Sequence, residues 1–190
     1  MLPPTQAIVA LVPLTPAERL LVDELWDPLE LGRGEAFLRA PEVSRHVGFL
    51  EAGCLHYHVL VDGEPRTYAF AQAGDFVGNY ESFLAGRPSD KTIEALEPSR
   101  LWRISRDGLH RLYAEVAAGE RFGRLAIERV FVGLLAQLTS FYVDGPEARY
   151  DQLLRDYPDL VQRVPQYVIA AYVGIRPQSL SRIRRRRSGS

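Results

Sequence analysis

Cysteine is almost missing from this chain. A single Cys54 among 190 residues forbids an intramolecular disulfide and excludes a Cys-based iron–sulfur or zinc cluster. With no resolving thiol in its own chain, Cys54 is a poorly motivated redox sensor, and core filling is its simplest use. No apolar run approaches the roughly 18 to 20 residues of a transmembrane helix. Residues 1–14 are apolar, but they lack a basic start and contain three prolines, unlike a secretory signal. A cytoplasmic protein without a membrane partner is expected. Internal repeats and low-complexity linkers are absent. So are a nucleophile elbow and a phosphate-cradling Gly-rich loop, so nothing in these motifs points to catalysis. What remains, 46% hydrophobic and 25% charged residues with a net charge of −1, is the composition of one or two small globular domains.

That near-neutral total conceals an asymmetry. Residues 160–190 contain seven Arg (163, 176, 182, 184, 185, 186 and 187) and no Asp or Glu, whereas the remaining 159 residues hold 16 basic and 24 acidic side chains. A +7 end on a −8 body is the footprint of a phosphate-binding surface. The four-Arg run 184–187 taken alone reads equally as a solvated tail.

The pattern within this end is specific. Ile169, Ala170, Val173 and Ile175 mark the apolar side of a short helix, Gly174 permits a tight turn, and Pro177 suits the first position of a second helix. This is a helix-turn-helix spacing. On the second helix Leu180 and Ile183 share one face, and Gln178, Ser181, Arg182 and Arg185 share the other. Gln reads adenine and Arg reads guanine bidentately in the major groove, which places Gln178, Ser181 and Arg182 at base edges with Ser179 beside them, and Arg176, Arg184 and Arg185 at phosphates. The competing reading is an ordinary surface αα-hairpin, and the charge asymmetry favours the first.

Earlier in the chain, Thr15-Pro16 with Glu18 three residues after the Thr predicts a capped amphipathic helix. From Leu29 to about Arg103, short apolar runs alternate with turn signals. Residues 47–50, 54–61, 66–71, 92–96 and 100–104 are strand candidates, and Asp62-Gly63 is a hairpin turn. Such spacing predicts an antiparallel sandwich or rolled barrel. Ser105 caps a following helix through Leu109, Leu112 and Tyr113, and Gly119 marks the start of a longer one. In it Ile127, Phe131, Leu134, Leu138 and Phe141 follow a 4, 3, 4, 3 spacing, the seam of a coiled coil, with Val130, Leu135 and Tyr142 beside it. The alternative is that the stripe packs only on its own β domain. Asp144-Gly145-Pro146 ends this helix, and 147–157 predicts another.

A β domain, a seam-bearing helix and a terminal helix-turn-helix together resemble the CRP/FNR family of transcription regulators over nearly the whole chain. The resemblance is carried by FLEAG (49–53), GDFVGNYESFLAGRPS (74–89) and VPQYVIAAYVGIRPQSLSRIRR (164–185). The last stretch is similar to the subgroup, common in Bacteroidetes, that lacks an evident β-hairpin wing after the recognition helix. The resemblance implies an α+β protein: an amino-terminal β-roll (jelly-roll) sensor domain over 1–118, a dimerisation helix over 119–143, and a helix-turn-helix domain over 144–190. It implies a homodimer, an inverted-repeat operator in DNA and RNA polymerase as partners. It also places the base-contacting Arg at Arg182, with Gln178 at the position of its acidic neighbour one turn earlier.

The family further implies an effector pocket, here Gly78, Asn79, Tyr80, Ser89, Asp90, Lys91 and Thr92. In members that bind cyclic AMP, a Glu follows the Gly and accepts a ribose hydroxyl, and an Arg-Ser pair about ten residues on neutralises the phosphate. This chain has Asn79 in place of the Glu and Ser89-Asp90 in place of the pair. An Asp beside a phosphate is repulsive, and a lost charge-assisted Arg contact removes about 1.5 to 3 kcal/mol. No cofactor is called for, cyclic nucleotide binding is disfavoured, and Arg87 and Lys91 leave room for a different anion. A loop whose pocket has closed is the other reading of 89–92.

A reading from another class rests on His56 and His58, two apart on a predicted strand, with Glu64 across the hairpin. In a β-barrel this trio could hold a metal, as cupin enzymes do with His-x-His and a nearby Glu. The spacing to Glu64 is longer than the cupin pattern, no third His follows in 74–86, and His46 and His110 have no evident place. Structural histidines are the simpler reading, and no metal site is expected.

Overall fold

The computed structural model describes residues 4–188, without the Ser188 side chain. Two short helices lead, α1 (Pro4–Val9) and α2 (Pro16–Leu25). Strands β1 (Asp27–Leu31), β2 (Ala36–Leu38), β3 (His46–Ala52), β4 (Cys54–Val61), β5 (Glu64–Gln72) and β6 (Phe76–Val77) follow, then helix α3 (Tyr80–Ala85), β7 (Thr92–Ala95) and β8 (Ser99–Ser105). The rest is helical: α4 (Arg106–Glu115), α5 (Gly119–Val143), α6 (Pro146–Asp156), α7 (Leu160–Arg163), α8 (Gln166–Val173) and α9 (Pro177–Ser188).

Two four-stranded sheets, ordered β1-β8-β3-β6 and β2-β7-β4-β5, form the roll. Alternation in the strands sends Leu31, Leu50, Leu55, Ile93 and Leu101 into the core that the sheets share. Each such fully buried leucine contributes about 1.5 to 3 kcal/mol. A second core lies beneath the helices, where Val22, Trp26, Phe49, Leu109, Leu112 and Phe122 are buried together. Phe76 sits between Phe49 (centroids 5.3 Å) and Phe122 (5.6 Å), which anchors the start of α5.

Strands β1, β2 and β6 are not among those predicted. β1 is an edge strand, which is why it tolerates Pro28, and β2 and β6 have three and two residues, too few for alternation to register. Helix α1 was likewise unforeseen, because the prolines around it mask its period. The Asp62-Gly63 turn does form, with both residues at positive φ (54° and 79°) as a two-residue hairpin requires. Thr15 and Glu18 close the capping box of α2, and Ser105 caps α4.

The chain divides into two compact units. One comprises the residues up to Tyr57 with Phe70–Val130, and the other His58–Ala69 with Phe131 onward. The tip of the β4–β5 hairpin thus groups with the carboxy-terminal helices, where the Gln137 side-chain amide donates to the Tyr68 carbonyl.

Helix α5 corrects the expectation about apolar runs. It is 25 residues long with a window of mean hydropathy 1.3, long and apolar enough to cross a membrane by length and composition, and none of that window is buried. The charges that hid it, Glu120, Arg121, Arg124, Glu128 and Arg129, all lie in its first three turns. Beyond them the helix is apolar on nearly every side, and Phe131 (58% exposed), Leu134 (50%), Leu138 (54%) and Phe141 (58%) stand in the open.

Candidate nucleic-acid interface and effector cassette

Helices α8 and α9 form the proposed reading head. Helix α8 buries Val168, Ile169, Ala170 and Val173 and leaves Gln166 and Tyr167 on the outside. It ends at Gly174, whose φ of 78° is the left-handed conformation that ends helices and that only glycine adopts freely. The N–H groups of Gly174 and Ile175 return to the Ala171 and Ala170 carbonyls at 3.1 and 2.9 Å. Pro177 then opens α9 where its missing N–H costs nothing. Helix α9 turns Leu180 (0% exposed) and Ile183 (5%) inward, and leaves Gln178, Ser179, Ser181, Arg182 and Arg185 exposed, with Arg176 exposed just before it. The Ser181 hydroxyl donates back to the Pro177 carbonyl at 3.1 Å.

The four-Arg run is not a loose tail. It continues α9, and its members diverge. Arg185 is exposed and Arg184 half-buried. Arg186 and Arg187 turn to α6, where they pair with Glu147 and Asp151, and the Arg187 guanidinium lies 5.9 Å from the Tyr150 ring centre. The positive charges of Arg186 and Arg187 are therefore balanced locally. Burial raises the Tyr172 phenol above its ordinary range, and Asp156 adds to the rise.

The cassette from Gly78 to Thr92 is knitted together by its own side chains. Asn79 caps α3, accepting from the Ser82 N–H at 3.3 Å, and its amide donates to Ser89 Oγ at 2.8 Å. Ser89 Oγ in turn donates to the Lys91 carbonyl at 2.7 Å and accepts from the Lys91 N–H at 3.0 Å. The Ser82 hydroxyl donates to the Arg87 carbonyl at 2.6 Å and accepts from the Ser44 N–H at 2.9 Å. Thr92 Oγ1 accepts from the Ala40 N–H at 3.2 Å, and the Tyr57 hydroxyl accepts from the Gly78 N–H at 3.3 Å. The Tyr80 and Phe83 rings lie 5.8 Å apart, tilted at 46°.

Lys91 meets Glu81 at 2.8 Å and Asp90 at 3.2 Å. Partial burial pulls its ammonium pKa down, the two carboxylates push it up, and the net shift is upward. Asp90 itself is exposed, so the one lysine of the cassette already has its counter-ions. The sequence reading missed Tyr57, Ser44, Ser82 and Glu81, which carry no local pattern and matter only once the roll brings them together. Ser44 also lines a pocket with Phe37, Glu42, Arg45 and His46. Burial, with Arg103 and Arg45 nearby, lowers the His46 pKa.

The metal reading changes its members. The carboxylate facing His56 belongs to Glu94 on β7, 3.7 Å from Nε2, a residue that hairpin spacing does not single out.

Comparison with known proteins fits this geometry. Residues 28–116 match the family model of the cyclic nucleotide-binding domain. Among solved structures, a crp/fnr-family protein from Eubacterium rectale superposes with a TM-score of 0.69 at 15% identity, covering 90% of this chain and 82% of that one. FixK2 from Bradyrhizobium japonicum gives 0.67 at 18% identity, covering 85% and 83%. The regulator CLP of Xanthomonas campestris, described as responsive to c-di-GMP, gives 0.65 at 15% identity, covering 91% and 90%. No curated protein matches the sequence. The chain has the CRP/FNR fold.

Within that CRP/FNR fold the cyclic nucleotide-binding match takes in the whole cassette from Gly78 to Thr92 and stops before α5. The helices that follow are matched through structure, which is why coverage rises from the domain to most of the chain. The fold thus establishes the β-roll, the long helix and the terminal helices, and the chemistry of each site rests on the residues above.

Proposed function

We propose that this protein is a homodimeric, sequence-specific DNA-binding transcription regulator of the CRP/FNR type, cytoplasmic and without enzymatic activity. Residues 1–118 serve as the sensor, 119–143 as the dimerisation helix, and 144–190 as the DNA-binding domain. The observation that carries this reading is the two-faced α9: Leu180 and Ile183 are buried while Gln178, Ser181 and Arg182 face outward from a tight glycine turn. Gln178, Ser181 and Arg182, with Ser179 beside them, would meet base edges, and Arg176, Arg184 and Arg185 would meet phosphates. Two recognition helices set about 34 Å apart read an inverted repeat.

The dimer reading rests on the α5 stripe. Ile127, Phe131, Leu134, Leu138 and Phe141 are all exposed in the single chain, an apolar surface that water disfavours and a second α5 would cover. The effector is not cyclic AMP in the usual pose, because Asn79 and Ser89 are bonded to each other and Lys91 is held by Glu81 and Asp90. RNA polymerase is the expected partner of a promoter-bound dimer.

The test is selection of genomic fragments by purified protein at near-physiological salt, with and without cyclic AMP. Salt is essential because phosphate contacts alone mimic function at low ionic strength. A palindromic motif indifferent to the nucleotide supports the reading. Binding without sequence preference by a folded dimer would sink it.

A further inference from the structure

We propose that Arg149 is the positioning residue that ties the end of α5 to the helix-turn-helix turn, and so fixes how the recognition helix is presented. This rests on the DNA-binding reading above and deepens it. A helix leaves the carbonyls of its last turn without internal partners, and a cation there is favoured by the helix dipole. The Arg149 guanidinium serves two such ends at once. Its NH1 donates to the Asp144 carbonyl at 2.6 Å and to the Phe141 carbonyl at 3.4 Å, at the end of α5. Its Nε donates to the Val173 carbonyl at 2.9 Å, the last residue of α8.

Packing reinforces the bonds. The guanidinium lies over the Phe141 ring, 5.2 Å from its centre, a cation–π arrangement. A Cβ on Gly174 would stand 3.5 Å from both Arg149 NH2 and the Phe141 ring. Phe141, Arg149 and the left-handed Gly174 therefore form one continuous contact, from the last turn of the proposed seam to the turn that aims α9.

The far end of α9 meets α6 through side chains alone: Arg186 pairs with Glu147 through side chains 70% and 60% exposed, and Arg187 with Asp151 through side chains 49% and 37% exposed, and salt screens such pairs. Phe141 is itself 58% exposed, so a second α5 that covers it also presses the ring against Arg149. Pairing of the long helices would thereby be felt at the turn. A planar, permanently charged fork suits this task, and the single ammonium of lysine cannot span both helix ends.

The experiment uses the full chain, the operator found by genomic selection, and versions of it with the half-site separation changed by one and two base pairs. Arg149→Ala and Arg149→Lys are expected to remain folded dimers with unchanged affinity for random DNA. Both should lose about 10- to 100-fold in affinity for the operator, the loss of one charge-assisted bond. More diagnostic is the ratio of affinities between the correct and altered separations, which should fall toward one. A role in stability alone lowers the melting temperature and leaves that ratio intact, and this result overturns the proposal. Full rescue by lysine overturns it too. If Arg149→Ala does not fold, Arg149→Lys, which keeps the charge, decides the matter. Selection that enriches no motif defeats the DNA-binding reading and this role with it, whereas an enriched motif with an unchanged ratio defeats only the role of Arg149.

Discussion

The side-chain amide of Asn79 donates to the hydroxyl of Ser89 at 2.8 Å, joining two positions ten residues apart that in cyclic-AMP-binding members carry a Glu and an Arg. In place of two charges poised for a ribose and a phosphate stands a neutral, buried bond, continued from Ser89 to the Lys91 backbone. Binding the nucleotide would require that chain of bonds to open, and the nearby Lys91 is already held by Glu81 and Asp90. Millimolar cyclic AMP is therefore expected to leave the melting temperature unchanged and to give no saturable heat in calorimetry; a saturable shift would refute this. Asn79→Ala should itself cost about 1 to 3 kcal/mol in denaturant unfolding, because it removes a helix cap and leaves buried partners unsatisfied.

Leu134 is half exposed near the middle of the α5 stripe. Burial against a second copy would make it the least tolerant position for charge, since an unpaired carboxylate at the centre of an apolar contact is strongly unfavourable. Leu134→Asp is expected to sediment as a folded monomer where the parent protein is a dimer. An unchanged dimer would show that α5 is not the seam. Partition of the parent protein into a membrane fraction would show instead that the apolar length of α5 serves a bilayer.

Much of this was legible in sequence because it is local. Thr15 and Glu18, Ser105, Asp62-Gly63 and the Gly174–Pro177 turn each place a backbone requirement on residues within four positions of one another, and periodicity alone separated Leu180 and Ile183 from Gln178 and Arg182. What could not be read depends on closure of the chain. Glu94 meets His56 from 38 positions away, and Arg149 reaches Val173 across 24 residues. Strands of two or three residues have too little alternation to declare themselves. The partners of the polybasic run were hidden for a related reason, because only the fold brings Glu147 and Asp151 against Arg186 and Arg187.

Glu18 offers a pH test of the amino-terminal helices. Its carboxylate accepts from the Thr15 N–H and hydroxyl, each at 2.8 Å, and from the Ala117 N–H at 2.8 Å, just before α5. These bonds, those from Thr15 first, hold its pKa below the usual carboxylate value. A depressed folded pKa means that the unfolded chain binds more protons, so the stabilisation is present above the unfolded value of about 4.3 and is lost as pH falls through the folded one. Glu18→Gln should melt below the parent protein near pH 7. The gap should close as the pH falls below about 4, and a gap independent of pH would show that the charge is irrelevant.

Arg182 offers a test of reading against holding. It shares the exposed face of α9 with Gln178 and Ser181, whereas Arg186 and Arg187 are occupied by acidic groups of α6. A base contact is felt only on the right sequence, and a phosphate contact on every sequence. Arg182→Ala should thus cost about 1 to 3 kcal/mol on the selected operator and little on random DNA, while Arg176→Ala and Arg185→Ala weaken both alike and each reduce the salt slope by about one. Arg186→Ala, already paired within its own chain, should change neither affinity appreciably. Titrations of the four variants on operator and random duplexes at two salt concentrations decide among these roles. Equal losses for Arg182→Ala on both duplexes would assign it to the phosphates, and would leave Gln178 and Ser181 to carry the sequence preference.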